Sequence, residues 1–192
     1  DEVSAGYSKV LSTGLNLIYR EQPTISASIS SASKIYDGLV YSGTPSLTYS
    51  LQNGDMAGSD ITFGTSVISG DITNPNAGVY TISAALSGFT NTLGYFNPTA
   101  ASAGTLTINQ RAVSLSGTRV YDALTGVDAG VLTLGNLVAG EQLVLSGAGS
   151  VATKSVADNK VVTLGSLALS NGTGGLAANY TFTGGAHAVS IT

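Results

Sequence analysis

Side chains that could carry out catalysis are few in this chain of 192 residues, and they are not arranged as catalysis requires. The single histidine, His187, would have to serve any Ser–His–acid triad, yet the sequence contains no Gly-x-Ser-x-Gly elbow. Cysteine is absent, which excludes thiol nucleophiles, disulfides and cysteine-based zinc sites. We therefore predict that the protein is not an enzyme and that His187 is an exposed or edge-strand residue.

Three aspartates in turn-rich stretches, Asp55, Asp60 and Asp71, suggest two kinds of chemistry. Paired carboxylates can hydrolyse glycosides, and several oxygen ligands can hold Ca²⁺. Neither an EF-hand loop nor a Gly-Gly-x-Gly-x-Asp run accompanies them, and two of the three directly follow a glycine. A turn role is therefore favoured. Weak calcium binding stays open as an alternative, and no other cofactor is expected.

Two covalent modifications are also compatible with the residue types. A Lys–Asn isopeptide crosslink needs a buried, neutral lysine beside a carboxyl group, and the lysines available are Lys9, Lys34, Lys154 and Lys160. Asn171 and Asn179 each begin the Asn-x-Thr pattern of N-glycosylation. Solvated lysines and unmodified asparagines are the favoured interpretation, because the glycosylation pattern arises readily in a chain rich in asparagine and threonine.

Aromatic rings could bind sugars, because rings stack well on the apolar faces of pyranoses. Tyr41, Tyr95 and Phe96 lie in turn-rich segments, so they are the rings most expected to escape the strand alternation. We predict that they cover the ends of a sandwich, and contact with a ligand is the alternative.

The charge composition excludes several partners. Seven basic and eleven acidic residues give a net charge of −4, and the basic residues are scattered, whereas binding to nucleic acid needs clustered Lys and Arg. Anionic membrane surfaces are disfavoured for the same reason. No apolar run approaches the ~20 residues that cross a bilayer, so membrane insertion is not expected. Only 9% of residues are charged, and neutral polar surfaces of this kind are common on extracellular β-proteins.

The elements that must position these side chains are β-strands, because apolar and polar residues alternate through most of the chain. In Tyr80–Leu86, for example, the apolar residues form one face and the hydroxyl side chains form the other. Turn sequences such as Asp37-Gly38 separate the short strands. In Val162–Leu169 the alternation shifts at Gly165-Ser166, which predicts a β-bulge. The prediction is an all-β fold of tandem β-sandwich-like modules with little or no helix.

One short phrase occurs twice. The sequence SKIYDG at 33–38 returns as TRVYDA at 118–123, which places Tyr36 and Tyr121 85 positions apart. An active site is normally built once, so a phrase that recurs at domain spacing indicates repeated architecture.

This recurrence predicts how the chain is divided. We predict the tail of a preceding repeat or leading strands at 1–29, one β module at 30–110 and a second β module at 111–192. The joints between them hold almost no spare residues, so neighbouring modules should be stiffly coupled.

The phrase has a structural interpretation of its own. In an extended strand the basic residue and the tyrosine share one face, and the aliphatic residue between them, Ile35 or Val120, should point inward. The aspartate would end the strand and accept backbone N–H bonds of the turn. The tyrosine would lie over the sheet edge with its hydroxyl bonded to backbone, as in a tyrosine corner. The residues predicted to have these structural roles are Lys34, Tyr36, Asp37, Gly38, Arg119, Tyr121 and Asp122.

These phrases and several others resemble two types of bacterial adhesin repeat. The segments that resemble the MBG type are Lys34–Gly38, Leu47–Leu51, Asn53–Asp55, Asn76–Tyr80 and Gly104–Ile108. The segments that resemble the related YDG type are Arg119–Asp122, Leu143–Gly147, Lys160–Val162 and Ala178–Phe182. One departure is Ala123, which stands where the family usually has glycine, so a turn that requires a positive φ is in question there.

The resemblance implies a function. Such repeats occur in tandem in very large secreted adhesins, including relatives of filamentous haemagglutinin that are exported by two-partner secretion. We therefore expect an extender region of a secreted or cell-surface bacterial adhesin that supports adhesion and biofilm or aggregate formation. Its expected partners are neighbouring repeats of the same long chain and glycans or proteins of the host or matrix. The alternative is a lectin-like module that binds glycan or host matrix directly.

Overall fold

The structure is a computed structural model, and it describes residues 23–51, 61–70, 73–91 and 94–192. The described residues are mostly strand and turn, and their two helical segments are single 3₁₀ turns at Ala129–Val131 and Ala177–Asn179. The predicted all-β fold class is confirmed. Within the described part of the chain, no helix is long and apolar enough to cross a membrane.

The strands are short, as the frequent turn sequences predict. Those that begin before residue 110 are β1 (Ser26–Ile29), β2 (Ala32–Ile35), β3 (Leu47–Ser50), β4 (Ile61–Thr62), β5 (Thr65–Gly70), β6 (Gly78–Ser87), β7 (Thr90–Asn91) and β8 (Gly104–Asn109). Those that follow are β9 (Arg111–Ala112), β10 (Ser114–Arg119), β11 (Gly126–Asp128), β12 (Leu132–Gly135), β13 (Leu143–Ser146), β14 (Ala148–Val151), β15 (Ala157–Thr163), β16 (Ala168–Asn171), β17 (Tyr180–Thr181) and β18 (Ala188–Ile191).

Hydrogen bonds join these strands into sheets. The largest has six strands in the order β11-β14-β15-β18-β10-β12, and another has four in the order β2-β8-β6-β5. The two-stranded sheets are β1-β3, β4-β7, β13-β16 and β17-β9. Most pairs are antiparallel, but β10 and β18 run parallel, with Thr118 opposite Ser190 and Arg119 opposite Ile191.

The chain forms two compact units that are each discontinuous in sequence. One comprises the described parts of residues 1–32, 42–72 and 80–106, and the other comprises 33–41, 73–79 and 107–192. The module boundaries expected from the sequence, at 29/30 and 110/111, stay a prediction.

The first unit is held by alternating strands and an aromatic cluster. Ile82, Ala84 and Leu86 of β6 are buried while the residues between them are exposed, which is the period-two pattern of a half-buried strand. Three rings pack together: Tyr49 stacks on Phe63 with centroids 4.2 Å apart, and Phe89 meets Tyr49 edge-on at 5.6 Å. Phe89 is the buried member of the three rings, and burial of such a side chain contributes about 1.5–3 kcal/mol.

The second unit has a core of branched aliphatic residues under its six-stranded sheet. Its buried members are Leu115, Val127, Leu132, Val151, Val162, Leu167, Val189 and Ile191. Five of the eight are β-branched, and all but Leu167 lie on strands, where alternate residues point to the same face, so one face of the sheet is apolar.

The β-bulge expected at Gly165-Ser166 is wrong. These two residues form a tight turn between β15 and β16, in which the Ser166 N–H donates to the Ala148 oxygen at 2.9 Å and Gly165 has φ 56°. The alternation shifts there because β15 ends and the chain passes to a different sheet. The irregular pairing of β15 lies earlier, between Ala157 and Lys160.

Candidate functional site

The first recurring phrase forms a compact turn directly after β2. The ammonium of Lys34 lies 2.5 Å from Asp37 Oδ1 and donates to the Leu39 carbonyl oxygen at 2.8 Å. The same Asp37 oxygen accepts the Leu39 N–H at 3.0 Å. Gly38, between them, has φ 77°, a backbone conformation that glycine adopts without strain. One carboxylate and one cation therefore satisfy both backbone groups of Leu39.

The second phrase makes the same bonds after β10. Arg119 donates to Asp122 Oδ1 and to the Leu124 carbonyl oxygen, and the Leu124 N–H donates to Asp122 Oδ1 at 2.9 Å. Ala123 has φ 63°, so the turn takes the same form without a glycine. The left-handed conformation costs alanine about 1–2 kcal/mol, which the bonds of Asp122 and Arg119 offset. The expected role of the aspartates in the turn is confirmed, and we call the two segments 34–39 and 119–124 the Asp turns.

Both Asp turns favour ionised aspartates. The Lys34 ammonium and the Leu39 N–H lower the pKa of Asp37, against a smaller opposing effect of burial. The Leu124 N–H and then the Arg119 guanidinium lower the pKa of Asp122. Hydrogen bonds and charge from these donors stabilise the carboxylate form.

The predicted direction of the strand faces is wrong. Ile35 and Val120 are exposed, whereas Arg119 and Tyr36 are buried. The reason lies in the Asp turn: the basic side chain must run along the inner side of the turn to reach the carboxylate and the carbonyl, and its apolar stem is covered there. The aliphatic neighbour therefore points to solvent.

Tyr36 enters a buried polar cluster in the second unit. Its hydroxyl donates to Glu141 Oε1 at 2.5 Å, and the hydroxyl of Tyr180 donates to Glu141 Oε2 at 2.7 Å. The two rings meet edge-on with centroids 5.5 Å apart. We call Tyr36, Glu141 and Tyr180 the tyrosine–glutamate cluster.

The expected bond from the tyrosine of the phrase to backbone is wrong for Tyr36, whose hydroxyl donates to a carboxylate instead. The tyrosine that does bind backbone is Tyr180, whose hydroxyl oxygen accepts the Val138 N–H at 3.0 Å. Tyr180 lies in the segment Ala178–Phe182 that resembles the YDG type, but nothing in the sequence indicated that its hydroxyl would bind backbone.

Burial and the neighbouring carboxylate perturb both tyrosines. Burial first, then the hydrogen bond to Glu141 and the charge of Glu141, raise the pKa of Tyr36 to about 12. Burial is also the main cause that raises the pKa of Tyr180, while the Val138 N–H acts in the opposite direction. Both hydroxyls are therefore neutral donors at neutral pH, as two bonds to one carboxylate require.

Asn179, which directly precedes Tyr180 in sequence, is bonded through its side-chain amide to Asn76 and Ala77. Asn179 is buried, its Oδ1 accepts the Ala77 N–H at 2.8 Å, and its Nδ2 donates to Asn76 Oδ1 at 3.0 Å. An asparagine bonded on both sides of its amide inside the protein is not an available acceptor for a glycan. Asn171, the other candidate, is exposed, and its Oδ1 accepts the Ala177 N–H.

The three aromatic candidates have different environments. Tyr95 is buried, and Asn91 bonds both its N–H and its carbonyl oxygen, so this ring is not placed for the ligand contact that was the alternative. The Asn91 side chain thus makes the two bonds that a neighbouring strand would make to the Tyr95 backbone, and the Tyr95 ring is buried. Phe96 is exposed and Tyr41 is half-buried.

His187 and the lysines make ordinary structural bonds. His187 is half-buried, and its Nε2 lies 2.9 Å from the Phe182 oxygen. Lys160 donates to Thr153 Oγ1 and to the Ser155 oxygen, both at 2.8 Å, and Lys154 is exposed. Lys34 is bonded to Asp37, and Lys9 lies outside the described residues. Half-buried or exposed lysines with such partners do not fit the buried amine beside a carboxyl group that an isopeptide bond requires.

The calcium candidates Asp55, Asp60 and Asp71 also lie outside the described residues. Among residues that the structure does describe, no three His, Asp or Glu side chains are grouped as a metal site requires. A shallow depression of about 390 Å³ lies over the second unit between Leu132, Leu134, Gln142 and Leu143. None of its lining residues is aromatic or ionisable, so it offers neither a sugar platform nor an acid–base pair.

The comparison with known families bears on this region. Residues 99–188 match the YDG domain. The match contains the second Asp turn together with Glu141 and Tyr180, while the first Asp turn lies outside it. The resemblance to the YDG type is thus confirmed for this part of the chain. No curated protein and no solved structure is similar enough to the chain to count as a match.

Proposed function

We propose that this chain is an extender segment of a large secreted or cell-surface bacterial adhesin, in which tandem β modules transmit load and present an adhesive region. The proposal is supported by the YDG domain at residues 99–188 and by the recurrence of one Asp turn with the same bonds in two places. A repeated device whose bonds are all internal serves architecture better than ligand binding.

The observation that carries the proposal is the parallel pairing of β10 with β18. β10 lies near the beginning of residues 111–192 and β18 lies at their end. A pull on the two ends of this segment drives the strands past each other, so that the bonds between them are loaded together. Two further hydrogen bonds flank the paired residues: the Leu115 N–H donates to the Ala186 oxygen, and the Thr192 N–H donates to the Arg119 oxygen. This geometry resists extension.

The surface supports the same function. Only 9% of residues are charged, and hydroxyl side chains pair across the outward faces of strands, as Ser28 and Thr48 do at 2.7 Å. A neutral surface held by side-chain bonds is compatible with secretion and with close packing against neighbouring repeats.

Single-molecule pulling tests the proposal, and the absence of cysteine allows attachment at chosen points. In one protein, Gln110→Cys with Thr192→Cys places the load across the ends of the segment and shears β10 from β18. In a matched protein, Val120→Cys with Thr192→Cys pulls the same strands from one end and breaks their bonds one at a time. We expect a much higher unfolding force in the first geometry. Equal forces in both would contradict a load-bearing role.

A second candidate function, direct glycan binding, is favoured by one observation: the ring of Phe96 is 59% exposed. Stacking of a sugar on this ring would be its mechanism. A glycan array with the chain and with Phe96→Ala separates the two functions. Binding that Phe96→Ala abolishes would support the lectin-like alternative, and absence of binding would support the extender.

A further inference from the structure

The two Asp turns differ in what covers their tyrosines. Tyr36 of the first Asp turn is 4% exposed, because its ring packs against Tyr180 and its hydroxyl meets Glu141. Tyr121 of the second Asp turn is 47% exposed. Val120 and Leu124 beside it are exposed, but so are their counterparts Ile35 and Leu39 in the first Asp turn, so the two turns differ in the exposure of the tyrosine. We call Val120, Tyr121 and Leu124 the Tyr121 face.

The backbone around the two tyrosines is otherwise equivalent. The Tyr36 N–H donates to the Asn109 oxygen at 2.8 Å, and the Tyr121 N–H donates to the Thr192 oxygen at the same distance. Asn109 is the last residue of β8, and Thr192 directly follows β18. Directly after Asn109 the chain continues into the YDG-type segment that supplies Glu141 and Tyr180. The Tyr36 environment therefore shows what an Asp turn of this kind contacts when such a segment follows.

We infer that the Tyr121 face is a docking surface for a YDG-type module joined directly after Thr192, with a glutamate and a tyrosine at the positions of Glu141 and Tyr180. The inference rests on the proposed function and specifies its joint. The glutamate would accept the Tyr121 hydroxyl and the tyrosine would meet its ring edge. The Glu141 and Tyr180 of a second, separate copy are already occupied by that copy's own Tyr36, so such a copy does not supply this contact.

One substitution between the Asp turns makes the docking selective. A Cβ added to Gly38 would lie 3.0 Å from Val138 Cγ1, a close approach that glycine relieves. Ala123 carries a methyl group at the equivalent position of the second Asp turn. The module that docks on the Tyr121 face must therefore carry a smaller residue than valine at the position of Val138, or shift to admit the methyl group.

The test fuses a second copy of residues 110–192 directly after Thr192 of the complete chain, with the Val138 position of the added copy changed to alanine. Tyrosines are replaced by 3-fluorotyrosine, and the Tyr121 fluorine signal is assigned with Tyr121→Phe. Its broadening by a soluble paramagnetic reagent reports exposure. We expect the broadening to fall roughly tenfold relative to the unfused chain, as the exposed fraction falls from 47% toward the 4% of Tyr36.

Matched variants of the added copy identify the contact. A Glu→Ala change at its Glu141 position should restore the broadening, whereas an Asp→Asn change at its Asp158 position, which is exposed in the chain, should leave Tyr121 protected. The fusion that keeps valine at the Val138 position should protect Tyr121 less unless Ala123→Gly is introduced. Unchanged broadening in the first fusion, or protection that survives Glu→Ala, would overturn the inference. The pulling experiment tests the pairing of β10 with β18 within residues 111–192 and does not depend on a docked module. Failure of the proposed function and failure of this inference can therefore be told apart.

Discussion

The hydroxyl of Tyr36 donates to Glu141 at 2.5 Å across 105 residues of sequence. Glu141 also accepts the hydroxyl of Tyr180, so one carboxylate joins the first Asp turn to the YDG-type segment. Because the three side chains are brought together only by folding, changes to any of them should affect the stability of the second unit rather than local turn structure.

Replacement of the shared carboxylate gives the first prediction. Glu141→Gln removes the charge that both hydroxyls bind. The NH₂ group of the new amide faces one of the two tyrosine hydroxyls, and that hydroxyl can no longer donate its hydrogen to this side chain. We expect a loss of about 1–3 kcal/mol in the free energy of unfolding, the range for a buried donor that loses its partner. Urea denaturation at pH 7 measures it. Asp158→Asn, which removes the same charge from an exposed site, should change stability little, and equal losses would contradict a special role of Glu141.

Alkaline pH gives the second prediction. The pKa of Tyr36 is raised from 10.0 to about 12, and that of Tyr180 is raised as well. A raised pKa in the folded state adds stability that is complete below pH 10 and is lost as the pH rises through about 12. Urea midpoints measured between these pH values should fall more for the chain than for Tyr36→Phe. Tyr121→Phe, which removes an exposed phenol, should keep the steep fall of the unaltered chain.

A comparison of the two Asp turns gives the third prediction. Asp122→Asn removes the charge that faces Arg119, whose side chain is 7% exposed, and Asp37→Asn does the same for Lys34, whose side chain is 15% exposed. The asparagine oxygen can still accept the turn N–H, so the lost ion pair is the main difference. Because an unpaired cation costs more where it is more buried, Asp122→Asn should lower the urea midpoint more than Asp37→Asn. The reverse order would contradict this account.

Acid titration checks the same two aspartates independently. Their pKa values are lowered in the folded state from an ordinary value of 3.8, so their stabilising effect is present above that pH and is lost as the pH falls through the lower folded value. The unaltered chain should therefore lose more stability on acidification than either asparagine variant does. Parallel curves for all three proteins would show that the aspartates do not titrate in this way.

The backbone of the Asp turns gives the fourth prediction. Ala123→Gly relieves the left-handed backbone at φ 63°, and we expect a gain of about 0.5–1 kcal/mol after the extra entropy of glycine in the unfolded chain is subtracted. Gly38→Ala should destabilise by about 1–2 kcal/mol because it adds strain at φ 77°. Thermal melting measures both. Ala157→Gly, at an exposed position in a β-strand, should destabilise, which shows that a gain at Ala123 is not a general effect of glycine.

Alternation and turn chemistry made much of the fold predictable. Period-two patterns such as that of β6 predicted strands and their buried faces, because strand geometry is local and one face must be covered. The roles of Asp37 and Asp122 were predictable for the same reason, since an aspartate bonds the N–H two residues later. The inward direction of Ile35 and Val120 was not, because the Asp turn draws the basic residue inward and overrides hydrophobicity.

The amino-acid sequence by itself determined which segments form strands, where they turn and that one turn is used twice, since these depend on neighbours a few residues apart. Only the tertiary structure decided that Tyr36 is covered by Glu141 and Tyr180 while Tyr121 is exposed, and that β10 lies parallel to β18. The two phrases are similar and form the same turn, so their different environments come from contacts with residues about a hundred positions away. Such contacts depend on how sheets pack and not on the phrase itself.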